Sequence, residues 1–189
     1  MNIDFNYIAT FLSLFYGLAI MKALGCMSTY IQNFKKLNNY WLWWLWAFSL
    51  IVISCAIWMN LITTWSEIQV FERYYFPLLA FYSSLLYFVF DIFFDNFNDL
   101  DNKDLKFQYF KNKKPFFLLI TLLFILKIFN ENFVEYQIMN KEFSFSLFPI
   151  LFQSSMFIIL AFSANKYVHS AFSIIFAFFL FLGAFNVQF

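Results

Sequence analysis

Charge is what this sequence has least of. Charged residues make up 12% of its 189 residues, about half the share of roughly 25% found in soluble domains. The hydrophobic set makes up 63%, and the mean hydropathy is +0.69. A water-soluble domain of this size cannot cover so much apolar surface with so few charges. Lipid is the solvent this composition asks for. The net charge of +1 gives nucleic acid no electrostatic footprint to bind, so no nucleic-acid partner is expected.

Other scarcities exclude chemistry. Two cysteines, Cys26 and Cys55, cannot build a disulfide framework and do not sit at a metal-ligand spacing. They read as small buried hydrophobes. A single histidine, His169, rules out a paired-histidine metal site. Three glycines, Gly17, Gly25 and Gly183, leave nothing for a glycine-rich phosphate loop. There is no G-x-S-x-G nucleophile elbow, no arginine-repeat helix and no filter-like loop. No cofactor is expected. The opening MNIDFNYIATF has no Lys or Arg, and a cleavable secretory signal needs a positive start. The first apolar segment is therefore expected to be retained.

What is present is a series of apolar runs, and a membrane-crossing helix needs about 20 mostly apolar residues. Six stretches qualify: Phe5 to Ile31, Tyr40 to Trp65, Tyr74 to Phe94, Pro115 to Phe129, Phe143 to Ala164 and Val168 to Val187. The runs are continuous, so they do not fit the short alternating segments of a transmembrane barrel. Helices also satisfy every backbone group within the segment, as lipid demands. The expected fold class is all-α, a polytopic bundle of about six transmembrane helices in one membrane domain. Residues 1–94 hold the first three helices, 95–114 the main polar loop, and 115–189 the last three.

Lysine placement sets the expected orientation. The links after segments one, three and five carry Lys35, Lys36, Lys103, Lys106, Lys111, Lys113, Lys114 and Lys166. Those after two and four carry only Arg73 and Lys141. The positive-inside rule then places both termini outside and 95–114 in the cytoplasm, as in a bacterial inner (plasma) membrane protein. Trp41, Trp43, Trp44 and Trp46 at the start of segment two, and Trp58 and Trp65 toward its far end, read as interfacial anchors. The 33 phenylalanines read as lipid-facing and packing residues.

Several residues are candidates for function. Lys22 and Asp91 lie inside apolar segments, where an ionisable group is a functional hypothesis by default. Lys22 can snorkel. Asp91 cannot, so it is expected to face protein or water, and the two can pair if they share a depth. Asp91, Asp95 and Asp99 are spaced four apart, so on one helix face they form a carboxylate row able to hold a divalent cation. Ser13, Ser83, Ser84, Gln153, Ser154 and Ser155 give the membrane centre some polarity, as a solute site or as helix-packing groups. Lys103, Lys106, Phe107, Tyr109, Lys111, Lys113 and Lys114 form a basic-aromatic stretch expected to lie along the headgroups, where a partner would dock. Pro77 and Pro149 fall in the first turns of their helices, where no kink is required.

Two pieces carry a resemblance. FLSLFYGLAIMKALG in the first segment opens as F-x-S-x-x-x-G-L-A, and FQYFKNKKPFF covers Phe107 to Phe117. With the tryptophan-rich segment between them, the pattern resembles a group of small bacterial integral membrane proteins that have no assigned function. The resemblance implies a six-helix bacterial membrane protein and transfers no functional residues. Three functions follow as expectations. The first is binding or conducting a small solute or ion at the midplane polar site. The second is a non-catalytic subunit or sensor, docking a membrane or cytoplasmic partner at the 95–114 loop. The third is a metal-dependent enzyme built on the aspartate row. The lipid bilayer is the expected environment, and assembly of several copies is one way to form a pore.

Overall fold

The structure, a computed structural model, describes residues 5–65, 75–94, 104–137 and 147–185. Within these residues there are six α-helices: α1 (Phe5–Gln32), α2 (Trp41–Trp65), α3 (Tyr75–Phe93), α4 (Leu105–Gln137), α5 (Leu147–Phe162) and α6 (Lys166–Phe185). A short 3-10 turn, Phe34–Lys36, joins α1 to α2. Four helices are long and apolar enough to cross a membrane: α1, α2, α3 and α6. The apolar part of α5 is shorter, and α4 carries lysines in its first turns.

α1 shows why these sequences form a bundle. Its buried residues are Ile8, Leu12, Tyr16, Ala19, Ala23, Cys26, Met27 and Tyr30, a stripe at three- and four-residue spacing. The opposite face is apolar too. Phe11, Leu14, Leu18, Met21 and Leu24 are exposed. In water that face would be an aggregation hazard, and against lipid it is at home.

Cross-helix contacts fix the directions. Tyr16 meets Trp58 at 5.1 Å between ring centroids and Tyr30 meets Trp43 at 4.9 Å, so α1 and α2 are antiparallel. Phe11 meets Phe76, and Lys22 meets Asp91, so α3 runs with α1. Tyr40 against Tyr109 and Trp46 against Phe117 set α4 parallel to α2. Lys113 reaching Ser163 and Phe117 facing Phe157 set α5 against α4. Phe124 against Phe176 and Tyr109 against His169 set α6 with α4. Each helix thus reverses the one before it. The ends of α1, α3 and α5 and the starts of α2, α4 and α6 gather at one end, here called the lysine-rich end.

The core is aromatic. Trp46 is buried among Phe116, Phe117, Phe157 and Phe176, stacking on Phe176 with centroids 5.2 Å apart. Trp43 is buried against Phe93 and Phe94. This corrects the interfacial reading of the tryptophans. Trp41 is exposed, whereas Trp43, Trp46 and Trp65 are buried in the core. Helical spacing turns Trp43 and Trp46 inward, where a ring with a donor can pack against other rings. Cys26 is buried as expected, but Cys55 is exposed.

The start of α4 is a second correction. The helix begins at Leu105, ten residues before Pro115. Asp104 caps it: Oδ1 accepts the backbone N–H of Lys106 at 2.9 Å and of Phe107 at 3.1 Å. The Leu105 N–H donates to the Asn38 carbonyl at 3.2 Å, tying the first and third links together. Leu105, Tyr109 and Phe116 face inward, so this turn is held by burial. Pro115 removes only one N–H donor, that for the Lys111 carbonyl. Residues 105–114 are thus helix, with Lys106, Phe107, Lys111 and Lys114 on the exposed side. Pro77 and Pro149 lie in the first turns of α3 and α5, as expected.

Candidate functional site

Several polar side chains that reach between helices lie at the lysine-rich end. On one side of it, α1 and α3 bring Lys22 and Asp91 together as an ion pair. A lone carboxylate in an apolar segment is costly, and the lysine answers it at the partly exposed surface of the bundle. Two turns on, the Tyr30 hydroxyl donates to Gln108 Oε1 of α4 at 2.7 Å. Asn112, one turn further along α4, donates Nδ2 to the Ile92 carbonyl at 3.0 Å. That carbonyl belongs to the last turn of α3, where the helix has no N–H of its own to offer.

On the other side the centre is His169. It is fully buried, with its ring against Tyr109, Phe110 and Phe117. Its Nε2 lies 3.0 Å from the Ser163 carbonyl and its Nδ1 lies 2.9 Å from the Tyr109 hydroxyl. A carbonyl can only accept, so Nε2 carries a proton. In the neutral ring Nδ1 then accepts, and Tyr109 donates to it. Burial pushes the Tyr109 phenol above the ordinary tyrosine value, with Ser173 and Trp46 nearby working in the opposite direction. Tyr109 therefore stays protonated and able to donate. Lys113 also donates to the Ser163 carbonyl, and the Trp46 indole donates to Ser173 Oγ at 2.8 Å. Helices α2, α4 and α6 and the link after α5 are joined here by polar contacts set among aromatic rings.

This site was missed in the sequence. His169 is a lone histidine at a segment start, and its partners are 60 and six residues away. The aromatic face of residues 109–117 was the one available signal, read there as interfacial.

The predicted midplane residues behave differently. Ser13 donates to the Thr10 carbonyl, Ser84 to Phe81 and Ser155 to Phe152, each within its own helix. Gln153 and Ser154 are half-buried on α5. Among the described residues no hydrogen bond links any two of the six. Ser83 alone is fully buried. It lies beside Tyr16 of α1. Ser54 of α2 is also buried, and it sits eleven residues after Trp43, about three turns on and so on the same face. The hydroxyls of Tyr16, Ser54 and Ser83 are buried; Ser54 has no hydrogen-bond partner, and Tyr16 and Ser83 have none beyond each other. At the lysine-rich end, the Tyr40 hydroxyl and the Trp43 and Trp44 indoles are likewise buried without partners.

Among the described residues no group of three His, Cys, Asp or Glu side chains could hold a metal. Asp91 faces Lys22, while Asp95 and Asp99, like Lys103, lie outside the described residues. Of the remaining basic-aromatic stretch, Lys106, Phe107, Lys111 and Lys114 are exposed, Lys113 is half-buried and Tyr109 is buried. Comparison with protein-family models, with curated proteins and with solved structures finds no match for this chain.

Proposed function

We propose that this chain is a non-catalytic multi-pass subunit of a bacterial plasma membrane, with both termini outside, that docks a partner at its cytoplasmic, lysine-rich end. One observation carries the reading. The contacts that join Lys22 to Asp91, Tyr30 to Gln108, Asn112 to Ile92 and Tyr109 to His169 all belong to that end. They make a fixed platform from which Lys106, Phe107 and Lys111 project. A fixed surface with exposed aromatic and cationic groups suits recognition, because little ordering remains to be done on binding.

Two experiments test it. Alkaline phosphatase fused after Leu100 is expected to be inactive, and fused after Phe189 active; the reverse pattern would overturn the orientation. A photo-crosslinker replacing Phe107 is expected to give one discrete protein adduct that disappears when residues 99–106 are deleted. Only lipid adducts at Phe107 would remove the docking reading.

The solute-binding reading keeps one supporting observation, the buried hydroxyls of Tyr16, Ser54 and Ser83, which have no partner beyond the Tyr16–Ser83 pair. Native polar groups this buried call for an explanation. In a background lacking Cys26 and Cys55, a Ser83→Cys variant is expected to stay unlabelled by a membrane-impermeant maleimide. Labelling would put the solute reading first.

A further inference from the structure

A cavity of about 370 Å³ opens at the lysine-rich end, lined by Lys106, Phe110, Lys113, Ala164 and Lys166. Three of its five lining residues are cationic and none is acidic. They come from the first turns of α4, the link after α5 and the first residue of α6. Asp104, the acid in the same turn as Lys106, is turned to the backbone of Lys106 and Phe107 and does not neutralise the group. Lys113 is held in place: Nζ donates to the Ser163 carbonyl and lies 5.6 Å from the centre of the Phe110 ring. Lys106 and Lys166 are exposed at the rim.

Three like charges converging on one concavity repel one another unless an anion sits between them. The volume has room for roughly ten water molecules, enough for a phosphate with its glycerol. The surroundings say which kind of phosphate. The two helices on either side of the link that carries Ala164 are apolar on their exposed faces, with Ile159 and Phe162 of α5 and Ile174 and Phe178 of α6 exposed, a surface fit for acyl chains and not for a water-soluble metabolite. Basic pockets between membrane helices are known to take anionic headgroups. We infer that Lys106, Lys113 and Lys166 form a binding site for the phosphate of an anionic phospholipid, whose chains lie along the exposed faces of α5 and α6. The inference rests on the membrane reading of the chain but needs no partner protein.

The test uses the full chain in nanodiscs of phosphatidylcholine doped with phosphatidylglycerol, with retained lipid counted by native mass spectrometry. Wild type is expected to retain phosphatidylglycerol in preference to phosphatidylcholine. A Lys106→Gln/Lys166→Gln variant is expected to bind it roughly tenfold to thirtyfold more weakly. A Lys106→Arg/Lys166→Arg variant should retain it, which separates loss of charge from loss of fold. The control is Lys35→Glu, the same two-unit change of charge at an exposed lysine outside the cavity; it should bind as wild type does. Equal weakening in the control would overturn the site in favour of a general surface potential. Inorganic phosphate displacing the lipid only at the ionic strength at which chloride does supports a lipid site. Inorganic phosphate bound with the same lysine dependence, with no preference between the two lipids, would overturn it. The chain is already inserted when lipid is counted, so failure here leaves the membrane reading intact.

Discussion

Hydroxyls in the middle of the bundle and polar groups at its lysine-rich end meet different fates. Ser13, Ser84 and Ser155 turn back on the carbonyl three residues earlier in their own helices. Tyr30, Tyr109, Asn112 and Trp46 reach to another helix or its link. Reach and supply account for much of this. A serine in a helix finds an acceptor in its own preceding turn, so it needs no neighbour. A tyrosine, histidine or tryptophan holds its polar atom too far from its own backbone. Where such a group is bonded at this end its partner is on another element, and helix ends supply free carbonyls such as those of Ile92 and Ser163, while Tyr40, Trp43 and Trp44 are buried there without a partner. A run of small polar residues is therefore weak evidence of a site.

The contrast can be broken in order of expected effect. Trp46→Ala removes a fully buried ring from among four others, and about 3–5 kcal/mol of stability should go with it. Thermal unfolding in detergent would show this, with Trp41→Ala, at an exposed position, close to wild type. His169→Leu keeps much of the ring volume but leaves the Tyr109 hydroxyl without its acceptor. A loss of about 1–3 kcal/mol is expected, and an unchanged midpoint would mean that the network does not hold the bundle.

Asp91→Asn is the next step down. Interhelical polar contacts in membranes reach only about 1–2 kcal/mol, and that is the expected cost, with the swap Lys22→Asp/Asp91→Lys recovering most of it. A swap as damaging as the single variant would show that the two sites differ in more than charge. Smallest of all, Ser84→Ala and Ser155→Ala should each fall within about 0.5 kcal/mol of wild type. A larger loss at either would mean that its hydroxyl has a partner beyond its own helix.

Much of the architecture was legible in the residues. The starts and ends of α1, α2 and α3 fall within a residue or so of where hydropathy put them, because a long apolar run in lipid has few alternatives to a helix. The placement of lysines in alternate links agrees with the up-and-down order that gathers them at one end. The site was less legible. Lys22 and Asp91 are legible as a pair, since a charge in an apolar segment stands out and needs an answer. The start of α4 is not legible because hydropathy registers lysines and cannot register that Leu105 and Tyr109 between them are buried. His169 does not stand out in the sequence because its significance lies in Tyr109 and Ser163, which no spacing along the chain connects.

Sequence by itself determined that this chain is a set of apolar helices suited to lipid, and which links share a side. Those follow from composition and from the order of charges, both of which are local. Only the tertiary structure decided which polar groups are answered by their own helix and which by another. It also decided that the stretch around Lys106 to Lys114 is the capped beginning of a helix, and that three lysines from two helices face one cavity. Those depend on which faces meet, and in a sequence apolar on nearly every face the pattern alone does not mark the inner one.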